Sequence, residues 1–553
     1  MSALLARARI MLGLGVWAAG LVLTGCGPRE TPVALANREG ILLMSTGGDP
    51  SSLDPQLIET LNDMRISMAL FEGLTIPDPV TLEPRPGVAK SWEYDDKTLT
   101  WTFHLRAEAK WSNGDPVTAG DFVFSYQRIL MPALGADYAN MLYVIKNGQA
   151  FNEGRIKDFT QVGVKALDDH TLQIQLEHPT GYFLELCYHQ TFLPVHPPTI
   201  KKFDAMTRRD SGWDKAGSLV GNGPFLLTKY VLGEVVEVKK NPNYWDAAHV
   251  RLNGVRFFPI ADVNAEERAF RNGALHMTST LPPPRIPAYK ETHSPYLRVM
   301  PVYGAYFYSI NTRKAKGALS DPRVRRALGL AIDRQALVDH VTRGGQLPAY
   351  SLTPPSPLYT PRAQLHEDVA EAKRLLAAAG YPDGKGVAPI ELLYNTSDAH
   401  RAVAEYLQQS WKQSLGLDVR LANVASPAWM DRRHNADYDI IRAGWYGDYL
   451  DPSTFLELFS SDNEMEQTGW KNTDYDKSIL AARAENDPAK RMEDFQQAES
   501  VLMTESPFIP LYYYTTIFLI RPEVRGYENN LLDEHIYQNI YLDPAATTPA
   551  TQK

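Results

Sequence analysis

The sequence contains little cysteine: only Cys26 and Cys187 occur among 553 residues. A small fold held together by several disulfides is therefore excluded. If Cys26 carries a lipid, as its sequence context below predicts, Cys187 has no cysteine in the chain with which to form a disulfide. Cys187, within YFLELCYHQ, is interpreted as a small buried apolar residue. A catalytic thiol would need an activating histidine to lower its pKa, and no catalytic role is assigned to Cys187.

A basic bias and the common catalytic motifs are also missing. Lysine and arginine total 56 against 65 aspartate and glutamate residues, a net charge of -9, so no nucleic-acid partner is expected. The chain has no HExxH, GxSxG or Walker A sequence. Metalloprotease, serine hydrolase and NTPase functions therefore lack their minimal residues, and no enzymatic activity is predicted. Histidines such as His189 and His196 are interpreted as surface or core residues, so neither a metal nor a cofactor is expected.

The N-terminus has an apolar run, residues 10–23, that is shorter than the roughly 20 residues a transmembrane helix needs. Two arginines precede the run and small residues follow it, so residues 1–25 are predicted to be an export signal peptide. The sequence Leu-Thr-Gly-Cys resembles the bacterial lipobox, which makes Cys26 the predicted lipidation site. The alternative is an ordinary signal with an incidental cysteine. Residues 26–40 are predicted to be a flexible polar tether.

The rest of the chain is typical of a large soluble protein. Its length exceeds what one hydrophobic core usually supports, so two or more lobes are expected. Alternating apolar residues predict strands at 99–105, 172–176 and 235–241. Capping residues and helical spacing predict helices at 322–337, 369–380 and 399–415. Strands and helices are mixed without regular alternation, which indicates a multi-lobed α/β protein.

One segment combines acids, an arginine and aromatic residues in a way that is unusual for plain surface or plain core. It is RAGWYGDYLDPSTF, residues 442–455, in which Asp448 is flanked by Trp445, Tyr446 and Tyr449. If Asp448 lies in a cleft, its carboxylate needs a hydrogen bond or a cation to offset desolvation. A ligand ammonium would serve, and the alternative is that Asp448 caps a turn or pairs with Arg442.

This segment and four other blocks resemble the oligopeptide-binding proteins of ABC peptide importers, also called solute-binding protein family 5. The other blocks are residues 52–74, 163–176, 392–400 and the family signature AKSWEYDDKTLTWTFHLRAEAKWSNGDPVTAGDFVFSYQR at 89–128. The resemblance implies an α/β, periplasmic binding protein-like fold (class II, cluster C), with two main lobes and an extra domain closing over the ligand. Lobe I would combine 41–73, 198–303 and 516–553, the extra domain would be 74–197, and lobe II would be 304–515.

The resemblance also implies a peptide site. Asp448 matches the aspartate that pairs with the peptide α-ammonium, while the peptide carboxylate would meet Arg442, Arg433 or His400, depending on peptide length. The backbone and pocket contacts would be Leu61, Tyr138, Gly444, Trp445, Tyr446 and Tyr514. Residues 443–446 are expected to be an irregular segment whose exposed backbone pairs with the ligand as with an added strand.

The chain departs from the family at one point. Family members often carry a cysteine at the position of Tyr446, bonded to a second cysteine near the position of Gly304, and neither occurs here. We therefore expect peptide length preference or the pocket beside Asp448 to differ.

The implied partners follow from the family. They are oligopeptides, the permease and ATPase subunits of an ABC importer, and the membrane, reached through the N-terminal lipid. The protein is expected to be a monomer in the cell envelope, periplasmic or on the outer face of the membrane. The alternative within the family is another cargo, such as a murein tripeptide, a signalling peptide, nickel or haem. A structural or adhesive lipoprotein is a third possibility.

Overall fold

The computed structural model describes residues 30–58, 60–313, 317–463 and 468–546. The predicted signal peptide and Cys26 lie outside the described residues. Within these ranges, no helix combines the length and the apolar character needed to span a bilayer.

Helices and strands alternate irregularly along the chain. The α-helices are α1 Pro32–Glu39, α2 Leu61–Leu70, α3 Ala119–Leu130, α4 Gly148–Asn152, α5 Phe183–Leu186, α6 Pro197–Lys202, α7 Val263–Arg271, α8 Ile286–Glu291, α9 Pro322–Leu330, α10 Arg334–Ala336, α11 Val369–Ala378, α12 Asp398–Leu415, α13 Ser426–His434, α14 Ser453–Leu456, α15 Thr473–Ala484 and α16 Pro488–Glu505. The strands are β1 Ile41–Ser45, β2 Thr75–Pro77, β3 Pro84–Pro86, β4 Ala89–Asp95, β5 Thr100–Leu105, β6 Val164–Asp168, β7 Thr171–Gln175, β8 Phe225–Val231, β9 Val235–Lys240, β10 Gly254–Phe258, β11 Leu297–Ile310, β12 Leu347–Pro348, β13 Ile390–Asn395, β14 Val419–Val424, β15 Ile440–Tyr446, β16 Phe508–Leu519, β17 Val524–Arg525 and β18 Tyr541–Leu542.

The first sheet has the strand order β1-β10-β9-β8, in which β1 and β10 are parallel and the other pairs are antiparallel. Helix α1 covers it, with Val33 and Ala36 packed against Leu43. The predicted flexible tether is therefore wrong over Pro32–Glu39. Thr31 caps this helix and Pro32 occupies its first turn, both of which favour a helix start, and the apolar face of α1 has a sheet to cover.

The second sheet is antiparallel, with the order β4-β5-β7-β6, and forms its own core with α3. Its strands β5 and β7 confirm the predicted strands to within one residue. Cys187 is fully buried in this core, as interpreted from the sequence. All of these elements lie within residues 74–197.

The third and largest sheet has the order β12-β16-β11-β15-β13-β14. The helices predicted from capping residues surround it: α9 follows the cap Asp321, α11 ends at Ala378, and α12 ends before Gly416 in the left-handed conformation. The helix predicted over 322–337 is divided, because α9 stops at Leu330 and Asp333 caps a new helix, α10.

Two long strands join the first and third sheets. β11 and β16 pair along almost their whole length, with a register shift between Pro301 and Ala305. Just after the C-terminal end of β16, Ile520 forms a β-bridge with Met277, and Met277 forms a second bridge with Met44 in β1 of the first sheet. The lobe boundaries expected at 303/304 and 515/516 thus fall inside two continuous paired strands.

Candidate functional site

A cavity of about 340 Å³ lies where the three sheet-containing bodies meet. It is bordered by α2, by the loops around Tyr138 and His189, by the end of β15 and by the loop at 531–534. The lining residues are Thr60, Leu61, Met64, Tyr138, His189, Gln190, Val302, Tyr303, Gly444, Trp445, Tyr446, Gly447, Asp448, Thr516, Leu531, Leu532, Asp533 and Glu534. Six of the ten predicted peptide-contact residues are in this set: Leu61, Tyr138, Gly444, Trp445, Tyr446 and Asp448.

The segment before Asp448 is a regular strand, so the expected irregular conformation of residues 443–446 is wrong. β15 pairs with β11 from Ile440 to Tyr446. On its other side, β13 pairs only with Ile440 and Ile441. Within the part of the chain that the structure describes, the second backbone edge of β15 therefore has no strand partner from Arg442 to Tyr446. An unpaired edge offers the alternating N–H and C=O groups that an added strand needs.

Asp448 is held at the end of this strand by its backbone. Gly447 N donates to Tyr303 O at 2.7 Å, and Asp448 N lies 3.4 Å from Thr454 Oγ1. The side chain is half-buried and lines the cavity. Among the described residues, no group donates a hydrogen bond to the carboxyl group or forms an ion pair with it. Burial raises the pKa of Asp448 to about 7. The two alternatives expected from the sequence, that the Asp448 side chain caps a turn or pairs with Arg442, are therefore not observed among the described residues.

The residues after Asp448 fix it against the body formed by residues 74–197. Tyr449 stacks on Tyr182 with ring centroids 4.0 Å apart. Leu450 N donates to Glu185 Oε2 at 2.7 Å. Burial, together with the neighbouring Asp451, raises the pKa of Glu185 to about 8. Asp448 is thus positioned from two bodies at once.

Gly444 and Tyr446 shape the wall of the cavity. A Cβ atom at Gly444 would lie 2.5 Å from the hydroxyl oxygen of Tyr514, closer than atoms can approach. Tyr446 stacks on Tyr514 at 4.5 Å, over Gly304, which is its direct partner in β11. In place of the cysteine pair that the family resemblance suggested for these two positions, this chain has an aromatic stack beside a glycine.

The predicted carboxylate-binding residues do not line the cavity, but two of them connect to it through aromatic side chains. Arg442 Nη2 donates to the Tyr514 hydroxyl at 3.2 Å, and its guanidinium lies 5.0 Å from the Tyr306 ring centroid. The Tyr306 hydroxyl lies 3.1 Å from His400 Nδ1. Arg442 Nε is buried and has no hydrogen-bond partner among the described residues. Burial and the charge of Arg442 lower the pKa of His400 to about 4.

Arg433 lies apart from this chain of contacts. It is on α13, with its guanidinium 5.4 Å from the Trp429 ring centroid. Burial, offset by Tyr438 and reinforced by the charge of Arg442, lowers the pKa of Arg433. The structure thus brings Arg442 and His400 together through Tyr306, and places Arg433 separately, on α13.

Sequence reasoning missed several groups that line the same cavity as Asp448. Asp533 and Glu534 come from a loop more than 80 residues away, and His189 and Gln190 from the body formed by 74–197. Asp533 pairs with Arg65 at 2.7 Å. An acidic pair in a loop has no sequence pattern that distinguishes it from ordinary solvated surface, so only the fold reveals it.

Comparison with known proteins gives the class to which this fold and site belong. Residues 83–492 match the sequence model of one protein family, described as "Bacterial extracellular solute-binding proteins, family 5 Middle". The chain belongs to this family of binding proteins, and its fold is that of the periplasmic binding proteins.

Several individual relatives are peptide-binding proteins, and others at similar identity are named for a different cargo, such as a probable deoxycholate-binding protein of Escherichia coli that is 34% identical over 525 residues, covering 93% of this chain and 95% of that protein. The periplasmic oligopeptide-binding protein OppA of Salmonella typhimurium is 37% identical over 548 residues, covering 96% of this chain and 98% of that protein. The murein tripeptide-binding protein MppA, in an unliganded open form, superposes with a TM-score of 0.79 at 36% identity, over 91% of this chain and 97% of MppA. OppA of Haemophilus influenzae in complex with RPPGFSPFR gives a TM-score of 0.75 at 32% identity, over 91% and 99% of the two chains.

Proposed function

We propose that this protein captures oligopeptides in an extended conformation between its two lobes and delivers them to the permease of an ABC importer. The observation that carries the proposal is Asp448, a desolvated carboxyl group in the cavity that no described protein group neutralises. Such a group is costly to bury unless a ligand supplies the missing positive charge. Every unblocked peptide has an α-ammonium that can do so.

The open edge of β15 would supply the other interactions, which are backbone hydrogen bonds that do not depend on the peptide sequence. A peptide with its ammonium at Asp448 and its carboxylate towards Arg442 would run antiparallel to Arg442–Tyr446 as an added strand, with backbone hydrogen bonds that any sequence can make. Leu61, Tyr138, Trp445 and Tyr446 would surround the first side chains of the peptide without polar readout of their identity.

Arg442 and His400 would receive the peptide carboxylate. Arg442 and Tyr446 are four residue steps apart along the strand, or about 13 Å. An extended tripeptide spans about 10 Å and a pentapeptide about 17 Å. The unpartnered Nε of Arg442 leaves a donor available for a carboxylate oxygen. Arg433, further along, would serve longer peptides.

The cellular setting follows the family and the sequence. We propose an extracytoplasmic protein, exported by residues 1–25 and held at the membrane through a lipid on Cys26, which acts as a monomer with the permease and ATPase subunits of its importer. The lobes would be 41–73, 198–303 and 516–553 for the first, 304–515 for the second, and 74–197 for the extra domain. The murein tripeptide is the alternative cargo, since MppA is also a close structural relative.

The test compares a free tripeptide with the same tripeptide acetylated at its N-terminus, titrated into the purified protein by calorimetry. Acetylation removes the α-ammonium and leaves the backbone ladder and carboxylate in place. We expect the free peptide to bind at least about tenfold more tightly, since a charge-assisted hydrogen bond contributes roughly 1.5–3 kcal/mol. Equal affinity for both would contradict the assignment of Asp448. Mass spectrometry of the incubated peptides checks that they stay intact, as a receptor requires.

A further inference from the structure

A second acidic side chain lines the same cavity and has no neutralising partner. Glu534 is 3% exposed, and its Oε2 atom is buried without a hydrogen-bond partner among the described residues. Its backbone is fixed, because Glu534 N donates to Asn530 Oδ1 at 3.0 Å and Asn530 Nδ2 donates to the Glu534 carbonyl. The position of Glu534 is therefore set by the loop and not by any contact that its carboxyl group makes.

The cavity is acidic as a whole. Its described lining residues include no lysine or arginine, whereas three of them are acids: Asp448, Asp533 and Glu534. Asp533 is already satisfied, because Arg65 lies at 2.7 Å and His535 at 2.8 Å. Asp448 and Glu534 are thus the two carboxyl groups of the lining that have no positively charged partner among the described residues. The α-ammonium of a bound peptide can neutralise only one of them.

We propose that Glu534 is a specificity-determining residue that binds a second ligand cation, the side-chain ammonium or guanidinium of a basic residue at the first or second position of the peptide. The inference rests on the proposed function, since it needs a peptide whose N-terminus is held at Asp448. Glu534 would add a preference for a basic residue near the peptide N-terminus to a site that otherwise binds peptides of any sequence. A buried carboxylate that meets a cation in this way discriminates strongly, because a peptide lacking the cation leaves it unpaired.

Protonation supplies a second signature of this contact. Burial, with Glu185 and Asp533 nearby, raises the pKa of Glu534 to about 8. The other charged or titratable groups around this end of the cavity are Arg65, Tyr188, His189, Asp448 and His535. A neutral Glu534 must lose its proton to pair with a cation, so a basic peptide should release more protons on binding at pH 7 than a neutral one. Its affinity should also fall more steeply as the pH is lowered below about 8.

The experiment compares Lys-Ala-Ala with norleucine-Ala-Ala, two tripeptides that differ in the side-chain ammonium of the first residue. Calorimetry measures both with the wild-type protein, with Glu534→Gln and with the control Glu499→Gln. Glu499 is another buried glutamate, bonded to Thr353 and Tyr359 outside the described cavity lining. We expect the wild type and Glu499→Gln to prefer the lysine peptide by tenfold or more, and Glu534→Gln to lose that preference while its affinity for the norleucine peptide changes less than threefold.

A wild type that binds both peptides equally, or a lysine preference that survives in Glu534→Gln, overturns this inference and leaves the proposed function standing. A wild type that binds neither peptide overturns both. Should Glu534→Gln fail to fold, proton release by the wild type decides. Titrations at pH 7 in two buffers with different ionisation enthalpies should show more protons released with Lys-Ala-Ala than with norleucine-Ala-Ala, and equal release counts against Glu534.

Discussion

At the scale of single residues, the site depends on carboxyl groups that the fold desolvates and leaves unpaired. Asp448 is the main case: its strand and the loop after it are fixed by backbone bonds to Tyr303, Thr454 and Glu185, so the side chain has little freedom to find another partner. Arg442 is the complementary case, a buried cation with an unused donor.

The first prediction concerns binding by Asp448. We expect Asp448→Asn to weaken tripeptide binding by at least about tenfold, because the amide keeps the shape but leaves the ligand ammonium without a counter-charge. Calorimetry of the purified variant measures this. The control is Asp96→Asn, an exposed aspartate in the turn between β4 and β5, which should bind as the wild type does. An Asp448→Asn affinity within threefold of the wild type would contradict the role.

The second prediction concerns the stability of the ligand-free protein. The folded pKa of Asp448 is about 7 and its ordinary value is 3.8, so between these pH values the folded state holds more protons than the unfolded state. The contribution of the Asp448 carboxyl group to the free energy of unfolding is therefore fully present below about pH 4, and it is lost as the pH rises through about 7. Asparagine carries no such charge.

Asp448→Asn should therefore melt at a higher temperature than the wild type at pH 8, by about 2 °C or more, and the difference should shrink towards pH 4. Thermal melts of both proteins without peptide, at the two pH values, provide the measurement. A difference that is the same at both pH values would mean that the effect does not come from ionisation of Asp448.

At the scale of elements, β15 carries the site, and its geometry was only partly predictable. Helix boundaries follow from local signals: Asp321 with Pro322, and Gly416, mark the ends of α9 and α12 in the sequence and in the structure. The strand β15 has no such signal, because Arg442, Gly444 and Trp445 break the alternating pattern. Its conformation is decided by pairing with β11, whose paired residues lie at least 130 positions earlier. The folded helix α1 likewise depends on the sheet that it covers.

The third prediction tests the packing of β15. Gly444→Ala places a methyl group 2.5 Å from the Tyr514 hydroxyl, so the tyrosine must move and its bond with Arg442 must change. We expect weaker binding of tripeptides, by about tenfold, since the edge strand and the carboxylate end are both disturbed. Calorimetry gives the affinities.

Gly120→Ala is the matched control for this substitution. Gly120 lies in α3, and the added carbon would meet only Thr118 Oγ1 at an ordinary 3.5 Å. This variant should keep wild-type affinity and gain slightly in stability, because alanine favours helix more than glycine does. If both variants bind alike, close approach at Gly444 is not part of the site.

At the scale of the whole molecule, the cavity exists only because three bodies meet. Its walls come from α2 and the loop at 531–534, from the loops around Tyr138 and His189 in the body formed by 74–197, and from β11, β15 and β16 of the third sheet. The paired strands β11 and β16 join the first and third sheets, and their ladder is irregular between Pro301 and Ala305, next to the cavity wall at Val302 and Tyr303. A break in the ladder is where two otherwise rigid sheets bend most easily.

The fourth prediction follows from this arrangement. A peptide that contacts all three bodies stabilises the arrangement in which they are closest, so small-angle X-ray scattering should show a smaller radius of gyration with saturating tripeptide than without it. Asp448→Asn at the same peptide concentration serves as the control, and its radius should decrease only in proportion to the fraction of protein that calorimetry shows to be bound. An unchanged radius in the wild type at proven saturation would show that binding does not move the lobes.

The sequence by itself determined the family of the protein and the helices with strong caps, and it singled out Asp448 as the candidate partner of a ligand ammonium, because these rest on local chemistry and on motifs that are contiguous in the chain. Only the tertiary structure decided that the carboxylate of Asp448 has no described partner, that β15 has an open edge, and that Glu534 shares its cavity. Those properties depend on which groups approach from distant parts of the chain, and neither burial nor the absence of a neighbour can be read from residues that are adjacent in sequence.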